Sequence, residues 1–216
     1  MNILHIDDHI IVLDKPAGLP VLPDGWDKEA PYLVRMLEAE YGKIWIVHRL
    51  DKVTSGVMLF ARTAEAHRSL NIQFEKHEVK KVYHALAEGN PRWEEHTARH
   101  PLRANVGHKH RTVVDNRDGK PSATYFRVLE RFNGFCLLEA IPETGRTHQV
   151  RVHAAELGHP LLADSVYGSH MDLGLARPAL HACSLTFLHP ASNESLMFES
   201  DYPEDLQKVL KRARRG

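Results

Sequence analysis

Two cysteines in 216 residues, no long apolar run and no net charge: each scarcity removes a class of protein. Cys136 and Cys183 lie far apart without metal or redox spacing, which excludes a disulfide scaffold and a cysteine zinc site and reads both as reduced core residues. The first twenty residues carry Asp7, Asp8, Asp14 and Lys15, so no secretory signal or membrane span is expected there; the expectation is a cytoplasmic protein with no membrane partner. Lys plus Arg and Asp plus Glu number 28 each, and the lack of net charge on its face argues against a polyanionic partner. No internal repeat, low-complexity tract or linker interrupts an ordinary composition, 43% hydrophobic and 26% charged, so one domain over 1–216 is expected, acting as a monomer.

The charge that is present is unevenly placed. Residues 1–47 hold eight acids against four bases, which leaves 24 bases to 20 acids in the rest. From His96 to Val114 there is no acid, while Arg99, Arg103, Lys109 and Arg111 alternate with His96, His100, His108 and His110. The last ten residues also lack acids and hold Lys208, Lys211, Arg212, Arg214 and Arg215. Such patches suit phosphate contacts; for the tail, a helix C-terminus whose cations complement the dipole is an equal alternative. Sixteen histidines raise the question of a metal. No HExxH or clustered Cys/His spacing occurs, and His148 and His153, five apart on a helix, do not project together, so no metal site is expected.

The pattern along the chain predicts a hairpin from Ile3–Ile6 and Ile10–Leu13, ended by Lys15-Pro16, and a short helix from Pro31 through Leu33, Val34 and Leu37 to Gly42. Residues 64–77 have helical period. Strands are expected over 79–87, 112–115, 122–131, 135–141, 180–188 and 195–199, with turns at Asp118-Gly119 and Asn133-Gly134, and one more helix over 147–157. This is an α+β fold, a mainly antiparallel mixed sheet flanked by helices.

One segment combines chemistry with a turn: His48-Arg49-Leu50-Asp51-Lys52-Val53-Thr54-Ser55-Gly56. Trp45-Ile46-Val47 before it reads as a short buried strand and Gly56–Ala61 after it as a second, which places Asp51 on a loop between core strands, held by the turn-prone Thr-Ser-Gly. Three other segments supply partners. Arg146, at the start of the 147–157 helix, presents a guanidinium that can hold a carboxylate bidentately. Taken alone, Tyr83 in Lys80-Lys81-Val82-Tyr83 reads as a cross-strand aromatic and Leu180 in Leu180-His181-Ala182 as core.

Taken together, these segments resemble the RluA-type RNA pseudouridine synthases, in a short form without an N-terminal S4-like domain. The likeness spans about residues 7–200: Asp14-Lys15-Pro16-Ala17-Gly18-Leu19, the nine residues from His48, the lysine pair before Tyr83, Gly119-Lys120-Pro121, the run Thr144–His153, and Leu180-His181-Ala182. It implies a single pseudouridine synthase domain with a central catalytic cleft. Asp51 is then the catalytic carboxylate and Arg146 its ion-pair partner; Tyr83 stacks on the uracil and takes the proton from C5, and Leu180 packs against the ring. Arg49, with His48 and Thr54, binds the substrate, Arg49 filling the stack as the base flips out. The implied partner is a stem-loop of ribosomal or transfer RNA. The base is cleaved, turned and rejoined without a redox step, so no cofactor is implied; the carboxylate either attacks C1′ or removes a proton at C2′. One departure stands out: Ala163 occupies a position where relatives usually have glycine.

Overall fold

The computed structural model describes residues 2–23, 30–107 and 111–215. His108, Lys109 and His110 of the predicted basic strip lie outside the described residues. The described chain forms twelve strands and four helices in two compact units, Met1–Lys81 with Ala182–Asp201, and Val82–His181 with Tyr202–Gly216.

In the first unit, β1 (Asn2–Ile6) and β2 (Ile10–Lys15) form the expected antiparallel hairpin. Its turn is fixed by Asp7, whose Oδ1 accepts from the His9 and Ile10 amides at 2.7 and 2.9 Å. β2 pairs antiparallel with β4 (Ser55–Ala61), and β3 pairs on the far side of β4. β3 is shorter and less buried than the sequence suggests: only Trp45–Ile46, both half-buried. All seven residues of β4 are buried, as a near-continuous apolar run requires when both faces of a strand are covered. On one face Val57, Leu59 and Ala61 pack with Ile10 and Val12 against Ala66 and Leu70 of α2 (Ala64–Glu75), together with Leu185 and Phe187 of β11 (Leu180–Leu188). Thr63 caps α2 by accepting the Ala66 amide at 3.1 Å. The first helix, α1 (Leu33–Tyr41), buries Leu33 and Leu37 and ends at Gly42 with φ 75°. β12 (Ser195–Glu199) pairs antiparallel with β11.

The second unit is a meander whose middle strand, β10 (Phe135–Pro142), pairs antiparallel with β5 (Lys80–Glu88) and with β9 (Thr124–Arg131); β6 (Glu95–Ala98) adds to β9. Strand alternation sends side chains to two different cores. Cys136, Leu138 and Ala140 meet Val150 and Ala154 of α3 (Gln149–Glu156), whereas Phe135 and Leu137 meet Leu206, Val209 and Leu210 of α4 (Glu204–Ala213). β7 (Leu102–Val106) and β8 (Arg111–Val114) form a separate two-stranded ribbon.

The basic tail does end a helix. Lys211 and Arg212 occupy the last turn of α4, and Arg214 binds Glu130. Of the two cysteines, both thiols, Cys136 is buried and Cys183 only half-buried, so the core reading holds for the first alone.

Candidate active site

In the first unit the candidate acid sits on a turn. The Thr54 amide donates to the Asp51 carbonyl at 3.0 Å, closing the four residues from Asp51. The turn is therefore Asp51-Lys52-Val53-Thr54, one step earlier than the Thr-Ser-Gly of the sequence reading; Ser55 and Gly56 already belong to β4. Leu50, 4% exposed, anchors the segment, Arg49 beside it is exposed, and Asp51 is half-buried. Thr54 is buried, so its side chain belongs to the foundation of the turn.

A second tie comes from Lys15, whose residue is fully buried. Its Nζ donates to the carbonyls of Pro16 and Leu19, both at 2.8 Å, and to that of Lys52 at 3.3 Å, while the Gly18 amide also donates to Lys52 O at 2.8 Å. A buried ammonium needs such acceptors, and by using them it fastens the 16–19 loop to the peptide that follows Asp51. Spacing alone gives no sign of this; the sequence reading has Lys15 as the end of the hairpin and as part of the family motif.

His48 is placed differently from the expected substrate contact. Its Nε2 accepts the Leu59 amide of β4 at 2.9 Å, standing in for a strand partner beyond the two residues of β3, and its ring stacks on Phe74 at 5.0 Å. Burial, with the neighbouring Lys81 ammonium adding to it, pushes the imidazole down to about 3, so it is neutral, with its proton on Nδ1. Burial likewise lowers Lys81 to about 8. His48 thus braces the segment before Asp51 through Nε2.

The second unit holds the other three residues. Tyr83, on β5 opposite Ala140, is half-buried against the core that faces α3, and Leu180 is a buried member of that same core. Arg146 is exposed. It lies in a turn before the helix rather than at its start: α3 begins at Gln149, and His148 is left-handed at φ 54°. Arg146 Nε donates to Pro121 O at 3.4 Å.

The polar letters of the run from Thr144 are mostly interior. Gln149, Arg151 and His153 are each less than 5% exposed. Arg151 makes a bidentate pair with Asp164 at 2.6 and 2.7 Å. His148 Nδ1 meets the Tyr167 hydroxyl at 2.7 Å, which also accepts the Thr112 amide at 3.1 Å. Sequence reading missed the roles of Gln149 and Tyr167, since nothing in their spacing says which way a polar side chain faces.

Comparison with known proteins places the whole chain beside one family. A family model described as RNA pseudouridylate synthase matches residues 9–156. The chain is 35% identical to ribosomal large subunit pseudouridine synthase D of Zymomonas mobilis, over 98% of this chain and 72% of the relative, and 40% identical to the protein of that name from Nitrosomonas europaea, over 99% and 65%. Its fold matches the solved human RNA pseudouridylate synthase domain containing 4 with a TM-score of 0.79 at 26% identity, covering 99% of this chain and 93% of the other.

Proposed function

Because the chain belongs to the RNA pseudouridylate synthase family, isomerases that act on uridine in RNA, we propose that it converts uridines of structured RNA to pseudouridine with Asp51 as the catalytic carboxylate. The observation that carries this reading is the Asp51 turn, closed by Thr54 and fastened through Lys52 to buried Lys15 and to Gly18. A carboxylate on so fixed a loop keeps one position while the substrate changes beneath it.

In the reaction the N1–C1′ bond breaks, the freed uracil turns within the pocket, C5 bonds to C1′, and the proton on C5 leaves. Asp51 either attacks C1′ as N1 leaves and is displaced when C5 bonds to C1′, or removes a proton at C2′ and later returns it to C2′; in both routes the proton lost from C5 is matched by one gained at N1. Arg146 is the ion-pair partner of Asp51, Tyr83 stacks on the base and takes the C5 proton, Leu180 supports the ring, and Arg49 fills the place of the flipped nucleotide. Thr54 and His48 serve the site by holding the turn. The single pseudouridine synthase domain over 1–216 comprises both units. The names of the relatives favour a stem-loop of the large ribosomal RNA, with a transfer RNA stem-loop as the other member of the same class. The protein acts as a monomer in the cytoplasm, without a cofactor.

Asp51→Asn and Asp51→Ala should abolish pseudouridine formation, read by carbodiimide-dependent primer stops, while RNA binding stays within a few fold. Activity of Asp51→Ala above about a thousandth of wild type, a barrier difference of roughly 4 kcal/mol, would sink the assignment. A pseudouridine map of total RNA from cells with and without the gene identifies the substrate.

A further inference from the structure

Gln149 holds Arg146 from both sides. Its side-chain Oε1 accepts the Arg146 amide at 3.0 Å, and its own amide donates to the Arg146 carbonyl at 3.1 Å. The same Oε1 accepts the Thr144 hydroxyl at 2.6 Å. Its Nε2 donates to the Ala123 carbonyl at 2.9 Å and to Thr124 Oγ1 at 3.0 Å, next to and at the start of β9. The carboxamide is 4% exposed and all its polar capacity faces fixed partners. Its orientation is forced: a backbone N–H faces the oxygen and a carbonyl faces the nitrogen, so a flipped amide would meet two repulsions.

The constraint continues inward. Thr124 Oγ1, having accepted from Gln149, donates to His153 Nδ1 at 2.9 Å, and His153 Nε2 donates to the His100 carbonyl at 3.1 Å. Burial lowers the His153 pKa and so keeps the imidazole neutral; with the Nε2 proton committed to a carbonyl, Nδ1 is left to accept from Thr124. Ser122 Oγ donates to that carbonyl as well, at 2.6 Å, and lies 3.2 Å from His153 Nε2. Every hydrogen from Arg146 N–H to His100 O has one acceptor. The exposed turn that carries Arg146 is in this way wired to the buried end of β9.

We propose that Gln149 is a positioning residue for the isomerisation, acting through Arg146 by fixing the peptide groups on both sides of it; this rests on the role of Arg146 proposed above. The alternative is that Gln149 stabilises α3 and nothing more. A double-mutant cycle separates the two, because a residue that acts through Arg146 loses its effect on rate once the guanidinium is gone. Single-turnover rates and RNA half-saturation are measured on one stem-loop for Gln149→Met, Arg146→Ala and the pair, with melting temperatures. The expected result is a loss of about a hundredfold in rate for Gln149→Met with half-saturation nearly unchanged, and no further loss when it is added to Arg146→Ala. Losses that multiply would overturn the proposal. Full activity of Arg146→Ala would overturn it too, but by removing the role of Arg146, an outcome that leaves the Asp51 test standing and is told apart by it. If Gln149→Met fails to fold, Thr144→Val, which removes a single donor to Oε1, takes its place in the cycle. A loss of about tenfold that vanishes beside Arg146→Ala supports the proposal; no loss, or an additive one, ends it.

Discussion

At Ala163 the backbone lies in the left-handed region, φ 60°, and its amide donates to the Met171 carbonyl at 2.8 Å. The family resemblance leads one to expect glycine there, and the chain keeps the glycine conformation without the glycine. Left-handed backbone costs a Cβ-bearing residue about 1–2 kcal/mol, whereas glycine loses roughly 0.5–1 kcal/mol more chain entropy on folding. The balance favours Ala163→Gly by roughly 0.5–1 kcal/mol, unless the packing of the Ala163 methyl against its core outweighs it. A higher melting temperature for Ala163→Gly, with unchanged activity, is the expected result; a lower one would mean that the methyl group's packing dominates. The same scale shows where sequence reading stops. Thr144-Gly145-Arg146-Thr147-His148-Gln149 announces chemistry by its letters, yet His148 turns to Tyr167 and Gln149 turns inward, and only the left-handed residue before α3 decides which. A backbone dihedral at one residue has no signature in the spacing of its neighbours.

Elements that bury two faces or alternate strictly were legible. The β1/β2 hairpin, β4, β5, β9, β10, β11 and β12 fall where apolar runs and turn residues put them, as do α1 and α2. Two pieces were not. β6 and β7 are short strands rich in exposed polar residues, with burial that neither alternates nor persists, so no period could mark them. β3 was expected over 45–47, and only its extent differs: it is a two-residue strand extended by the His48 side chain, a pairing that no propensity encodes. The end of α4 was open as one of two equal readings of the acid-free tail, and the helix it belongs to buries Leu206, Val209 and Leu210 against charged neighbours. Gly56 shows how element packing sets a residue: at φ 117°, a Cβ there would stand 2.1 Å from the Ala182 carbonyl oxygen of β11. Backbone cannot yield as a flexible side chain does, so β4 and β11 would have to separate. Gly56→Ala should leave little soluble folded protein, and circular dichroism with a normal melting transition for that variant would refute the close approach.

On the scale of the whole molecule, zero net charge conceals a division. The first unit holds 11 Lys and Arg against 15 Asp and Glu, the second 17 against 13, so the units carry −4 and +4. The acid-free strip from His96 is less available than its letters imply. Arg103 pairs with Asp115 at 3.0 Å and Asp118 at 3.6 Å, Arg99 lies 3.7 Å from Glu143, and Arg111 donates to the Val166 carbonyl. Removing Arg103 would bare two carboxylates as well as delete a cation, so its alanine variant confounds two effects. Arg92, Arg117 and Lys120 are exposed in the same unit and give a cleaner test, with Arg35, Arg68 and Lys76, exposed in the acidic unit, as controls. A cation that neutralises a phosphate releases counterions, and deleting one such cation should flatten the slope of log affinity against log salt by about 0.7–0.9. Binding is best measured on the Asp51→Asn background, in which turnover is expected to stop. Changing Arg92, Arg117 and Lys120 to Gln should weaken RNA binding at low salt and reduce the slope in proportion to the phosphates they neutralise, whereas changing Arg35, Arg68 and Lys76 to Gln should leave it unchanged. Equal changes from the two triples would mean that RNA is held without regard to the charge division, and an unchanged slope in both would assign affinity to base stacking and flipping around Asp51.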